Sequence, residues 1–299
     1  MHISRRWMFR LTACLALLSS LGAQAGPVTD RLKAGGSKLV IAHRESSVPF
    51  SYLDANKRPV GYAVDLCLKV AEAVRKKLEM PALGVEFRMV TPANRIETIV
   101  AHEADLECGS TTNNAERRQK VAFTVPHYIT GARYMVRADS GIEDLQQFEN
   151  RKLVSTKGTT PLKAVEAANR ERLLRIEVLE APDHSRAVEM VEKGEADGFV
   201  MDDVLLFGLI AGRPEPGKLK VVGKFLTIEP LAIMLPKDDP EFKKIVDDEM
   251  KRLVNSREAY AIYERWFAKP IPPKNTSLNL PMSYLLKDFW KYPSDQVPY

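Results

Sequence analysis

Apolar and polar positions along this chain alternate with two different periods. "KLVIAHR" (38–44) and "GVEFRMV" (84–90) are short β-rich runs bounded by turn residues, which is a strand pattern. Between them, Ala63, Leu66, Cys67, Val70, Val74 and Leu78 recur at helical spacing. Asp65, Lys69, Glu72 and Lys76 fall on the other face, so a helix is predicted over 63–78. "NRIETIVAHEAD" (94–105) predicts the next helix and "KVAFTVPHY" a further strand. The pattern restarts with a strand at 132–137, a short helix within 141–152, a strand and turn over 153–160 and a helix over 161–174. "RIEVLEA" reads as a strand, "DHSRAVEMVEKGEA" as a helix and "DGFVMDD" (197–203) as a strand ending in two acids. Two helical patterns, "PEFKKIVDDEMKRLVNS" and "REAYAIYERWFAKP", close the periodic part. The tail "IPPKNTSLNLPMSYLLKDF" has little periodicity and is expected to lie over the surface. Strands alternating with helices imply α/β layers on mainly parallel sheets, and 299 residues suit two such lobes.

The first 25 residues stand apart. "MHISRRWMFR" is a basic start, "LTACLALLSSLG" an apolar core and "AQAG" a run of small residues, which together read as a secretory signal cleaved after Ala25. The apolar core falls short of the about 20 residues a permanent membrane helix needs. "LTAC" has the look of a lipoprotein box and "SRRWMF" of a twin-arginine signal. In the first, however, most of the apolar core follows Cys14, so general secretion to the periplasm is the expectation. Removing Arg5, Arg6 and Arg10 leaves 41 basic against 39 acidic residues, a balance that gives no reason to invoke nucleic acid. Cys67 and Cys108 remain. They could pair in an oxidising compartment, although Cys67 on the apolar helix face also reads as a plain buried thiol. No CxxC or His/Cys cluster points to a metal, and no cofactor is expected.

Polar residues gather where the predicted strands end, in "AHRESS", "TPANR", "ECGSTTNN", "KGTTP", "APDHS" and "VMDD". Open α/β sheets bind ligands at the carboxyl ends of their strands. The densest of these segments is "ECGSTTNNAERR" (107–118). Ser110 or Thr112 there could simply cap a helix, or the segment could hold an anion with Arg117 supplying a bidentate fork.

"GSTTNNAER" followed by "VAFT" resembles the TxxxER segment of periplasmic amino-acid-binding proteins, the receptors of polar amino-acid ABC importers. The likeness is greatest to glutamate/aspartate-binding proteins. It runs in order through "HRESSVPFSY", "VGY", "NRI", "GTT", "DH", "MDD", "KDDPEFKK" and "WFAKPIPPKN", nearly the whole mature chain. The resemblance implies a type II periplasmic-binding-protein fold, each lobe a mixed sheet flanked by helices, with two hinge crossovers. The lobes are expected at 26–130 plus 224–280 and at 131–223, with a tail over 281–299. A monomer that serves an inner-membrane ABC permease is implied.

The resemblance also assigns residues. It implies that Arg117, with Ser110 and Thr112, grips the α-carboxylate, that Asp202 holds the α-ammonium and that Thr160 contributes from the second lobe. A buried zwitterion needs an opposite charge at each end, because an unpaired buried charge is very costly. Asp203 is the other acid available, and it reads as a cap for the segment starting at Val204. Arg44, Arg95 and His184 match residues that converge on a second carboxylate, which implies glutamate or aspartate as ligand. Pro92 departs from the family's usual Ser, leaving the preference between the two open. Phe50 and Tyr52 read either as packing over the ligand or as core. Two other functions remain. The same fold occurs in exported dehydratases of cyclic acids, where Asp202, His184 or Glu107 could act as acid or base. An accessory or sensor module is the third. No Ser-His-Asp arrangement, HExxH or phosphate loop favours an enzyme.

Overall fold

The computed structural model describes residues 26–297. The signal segment and its cleavage point after Ala25 lie outside the described residues.

The first sheet is centred on the strand Lys38–His43, which runs parallel to Gly84–Met89 on one side and to Leu106–Glu107 on the other. Met234–Leu235 enters antiparallel between Leu106–Glu107 and Ala122–Phe123. The second sheet repeats the order. Lys152–Thr156 pairs parallel with Glu177–Ala181 and Gly198–Asp202, and Ala132–Arg137 lies antiparallel between Gly198–Asp202 and Leu219–Val222. Each sheet is therefore mainly parallel with one reversed strand. That strand is in each case the one the chain enters straight after crossing between lobes. The crossovers themselves, Tyr128–Thr130 and Glu229–Leu231, pair antiparallel with each other and form the hinge.

Helices cover the sheets as the periodicity predicts. Tyr62–Lys77 buries Ala63, Leu66, Cys67, Val70 and Val74 along one stripe and packs on Pro240–Asn255 and Glu258–Phe267. The second lobe has its own core around Tyr134, Phe148, Leu153, Val165 and Val200. The helix predicted over 94–105 is only Arg95–Val100, because His102 adopts a positive φ that ends it.

Two expectations change. Cys67 is no free thiol. It forms a disulfide with Cys108, whose Cα lies 6.3 Å away where the helix passes over the end of Leu106–Glu107. The tail is more than a surface cover. It forms the helix Tyr284–Phe289 and buries Leu286 and Trp290. No helix among the described residues is long and apolar enough to cross a membrane.

Candidate ligand-binding cleft

All six strand-end segments come to the facing edges of the two lobes. Arg95, Ser110 and Thr112 from the first lobe and Thr160, His184 and Asp202 from the second line one narrow cavity, with Met201 and Leu205 adding apolar wall. Arg117 and Arg44, the remaining predicted ligand residues, flank it and are buried. Phe50 and Tyr52 take the core alternative. Phe50 sits in an aromatic cluster with Tyr62, His127, Tyr128 and Phe267, and Tyr52 packs edge-on against Trp266 while donating its hydroxyl to Pro272 O at 2.7 Å.

Local chemistry explains why the segment 107–118 faces the cleft. The cap of the short helix Ala115–Arg118 is Asn114, whose Oδ1 accepts from Arg117 N at 2.9 Å. Ser110 and Thr112 are thus released from capping duty. Arg117 is aimed by its own donors, one to Thr112 O at 3.0 Å and one across the cleft to Gly158 O at 3.3 Å. Thr159 caps the helix Thr160–Glu171, which leaves the Thr160 hydroxyl to reach Thr112 and Glu229. Asp183 caps the helix His184–Glu192, so the imidazole at its first turn is free to face inward. Asp203 does not cap as expected. It is the first residue of the helix Asp203–Ala211, and its carboxylate accepts from the hinge hydroxyl of Thr130 at 2.7 Å.

Two acids enter the site that the strand-end argument did not assign to the ligand. Glu107 is fully buried and accepts from Thr111 Oγ1 at 2.6 Å. The backbone at Gly109 runs so close that a Cβ there would lie 2.2 Å from Glu107 Oε1 and 3.0 Å from Arg44 Cγ, so a larger residue would push the Glu107 carboxylate aside. Glu229, on the second crossover, accepts from Thr160 Oγ1 at 2.7 Å. A lone acid in a short strand carries little sequence signal of this kind, and for Glu229 the partner that places it in the site comes from the opposite lobe.

The cleft gathers three guanidiniums and three carboxylates, all of them buried. Burial, and then Arg95, pulls the Arg44 and Arg117 guanidiniums below their ordinary range, and burial does the same to Arg95. Burial, with Arg44 and Arg95 adding to it, holds His184 well below its usual value and hence neutral. Asp202 is pushed up by burial, then by Glu229 and Asp203. Several buried polar atoms here have no hydrogen-bond partner among the described residues: Arg44 Nε and Nη1, Arg95 Nε, His184 Nε2 and Asp202 Oδ1. Burying such groups without partners costs about 1–3 kcal/mol each, more for charged ones, so this arrangement suits a ligand carrying anionic and cationic ends. Among the described residues no group of His, Cys, Asp or Glu could hold a metal ion.

Two paired sheets, a two-stranded hinge and a charged cleft between them define a hinged solute-binding protein. Residues 39–269 match the bacterial extracellular solute-binding proteins, family 3, and the chain belongs to that family. It is 38% identical to the glutamate/aspartate import solute-binding protein of Escherichia coli K12, over 96% of this chain and 95% of that protein. It is also 38% identical to the L-glutamate/L-aspartate-binding protein of Pseudomonas aeruginosa PAO1, over 96% of each chain. Among solved structures, a mutant of ArgBP from T. maritima superposes with a TM-score of 0.70 at 22% identity, covering 80% of this chain and 99% of its own. The cysteine-binding protein from Campylobacter jejuni gives 0.68 at 22% identity, over 79% of this chain and 91% of its own. These two share the fold alone.

Proposed function

We propose that this protein captures an acidic amino acid, glutamate or aspartate, between its lobes and delivers it to an ABC permease, working in the periplasm after loss of residues 1–25. Its lobes are taken as 26–130 with 224–280, and 131–223. The observation that carries this reading is the surplus of buried, partnerless donors in Arg44, Arg95 and His184 beyond the clamp that any amino acid would need. Arg117, the Ser110 hydroxyl and the Thr112 backbone N–H receive the α-carboxylate, the Thr112 hydroxyl lying beside Thr160. Asp202, with Glu229 beside it, receives the ammonium, whose three N–H groups can serve both acids. Arg44, Arg95 and His184 receive the second carboxylate. Neutral His184 donates to it when Thr156 Oγ1, 2.8 Å from Nδ1, supplies the hydrogen of that contact and leaves the proton on Nε2. Binding is the whole task of these groups. The close relatives named above are solute-binding proteins, which supports a carrier over an enzyme.

The test is a calorimetric and thermal-shift screen of refolded, ligand-free protein against all amino acids and simple dicarboxylates. Glutamate or aspartate at about 100 times its dissociation constant should stabilise the fold by about 2.7 kcal/mol. A response to a neutral amino acid and none to either acidic one would sink the reading.

A further inference from the structure

Two side chains of the clamp segment, one buried and one half-buried, take no part in the cleft as described. Asn113 and Arg118 turn the other way, toward the tail. Asn113 is fully buried. Its Nδ2 donates to Asp295 O at 3.0 Å, and its Oδ1 accepts from Arg118 Nη1 at 2.8 Å. Arg118 Nη2 reaches Val297 O at 3.5 Å. On its other side the Asn113 backbone N–H donates to Pro230 O at 2.8 Å, on the second crossover. Further back along the tail, the buried Trp290 packs edge-on against Tyr260 and donates its indole N–H to Pro126 O at 3.0 Å, just before the first crossover. Lys243 fixes the Asp295 carboxylate at 2.9 Å. The tail therefore grips the chain beside both crossovers and holds the residue next to Thr112. It also lies beyond the family match, which ends at residue 269.

We propose that residues 290–297 form a strap that positions the α-carboxylate clamp, with Asn113 as the positioning residue that connects the two. The proposal rests on the assignment of Arg117, Ser110 and Thr112 to that carboxylate. Thr112 O is an acceptor that aims Arg117, and the peptide that follows it is held by Asn113. Without the strap the Asn113 amide loses its partner and the Thr112–Asn113 backbone gains freedom. Ligand binding must then restrict that freedom. Because the clamp serves every amino acid, the loss falls equally on all of them.

The experiment compares the full mature chain with one ending at Tyr292, which keeps Trp290 in place. Glutamate and aspartate affinities are measured by calorimetry, alongside the thermal midpoint without ligand. The dissociation constants should rise between about threefold and thirtyfold, by the same factor for both ligands. A lowered midpoint with unchanged affinities would mean that the tail only stabilises the fold, and would overturn the proposal. If the shortened chain does not fold, Asn113→Asp supplies the answer. It keeps the acceptor for Arg118 and loses the donor to Asp295 O, so weaker binding supports the strap and unchanged binding refutes it. A full chain that binds neutral amino acids and not acidic ones would fail the proposed ligand, and the strap is then judged with the amino acid that does bind. A full chain that binds no amino acid removes the clamp assignment and the strap with it.

Discussion

Thr112 and Thr160 belong to opposite lobes, and their hydroxyl oxygens lie 3.1 Å apart. The direction of that bond follows from counting protons. Thr160 has one hydroxyl hydrogen and spends it on Glu229 Oε2 at 2.7 Å, so Thr112 must be the donor between the two threonines. One chain of bonds thus runs from the clamp, across the cleft, to the hinge.

Thr160→Val keeps the shape of the side chain and breaks this chain of bonds. It leaves Thr112 without its acceptor and buried Glu229 without its donor, a loss of roughly 1–3 kcal/mol. Affinity for glutamate should fall about tenfold or more by calorimetry, while Thr160→Ser should restore most of it. Equal behaviour of the two variants would show that the hydroxyl carries nothing.

The division of labour between arginines makes a second prediction. Arg117→Ala should abolish binding of every amino acid, since removing one member of a buried charge pair costs about 2–5 kcal/mol. Arg44→Ala should chiefly weaken acidic ligands, which a parallel titration with glutamine would reveal. Arg44 also neighbours buried Glu107, so the double variant Arg44→Ala/Glu107→Gln separates loss of the ligand contact from a stranded carboxylate. Matching losses for glutamate and glutamine would undo the assignment.

How much of this site could be read from the sequence depends on where each residue's signal lies. Arg117, Asp202 and His184 announce themselves because a charge or imidazole at a strand end needs no tertiary information to look out of place. Glu107 stands at a strand end too and entered only as a candidate acid or base, while Glu229 gives no such sign, since it is a single acid in a three-residue strand whose hydrogen-bond partner Thr160 comes from the other lobe. The sheets were legible from periodicity. The cap was not, because "STTNN" offers five capping residues in a row and only backbone geometry selects Asn114. The tail misled for a related reason. Trp290 is buried by neighbours distant in sequence, which no local period records.

Gly158 is one of the places where the lobes approach each other closely. Its φ is +78°, and a Cβ there would meet Pro92 O and Ala93 Cα at 2.7 Å across the cleft. Gly158→Ala should therefore hinder closure more than folding. Glutamate affinity should drop and the ligand-induced compaction seen by small-angle scattering should shrink. An unchanged compaction would show that the lobes can close without this contact.

The disulfide ties the helix Tyr62–Lys77 to the residue that follows Glu107, at the start of the clamp segment. Cys67 and Cys108 are separated by 41 positions, for which chain entropy alone gives up to about 4 kcal/mol. Reduction should move the urea midpoint down by a corresponding amount. The Cys67→Ala/Cys108→Ala variant should be insensitive to reductant, and a wild-type midpoint that does not respond to reductant would count against a structural role.

His127 yields the pH prediction. Its ring is fully buried among Phe50 and Tyr62, with neither nitrogen hydrogen-bonded among the described residues, and burial pulls its pKa down to about 3. In the unfolded chain the same histidine titrates near 6.5. Between those values the unfolded state holds a proton that the folded state does not. This group's contribution is therefore fully present above pH 6.5 and is lost as pH falls toward 3, by up to about 1.4 kcal/mol per pH unit. His127→Phe keeps an aromatic ring in an aromatic cage, removes two partnerless polar atoms and removes the titration. Its stability relative to wild type, measured by urea unfolding from pH 7 to pH 4, should rise steadily as pH falls. A difference that stays constant across that range would show that His127 does titrate in the folded protein, and that its ring is reached by water.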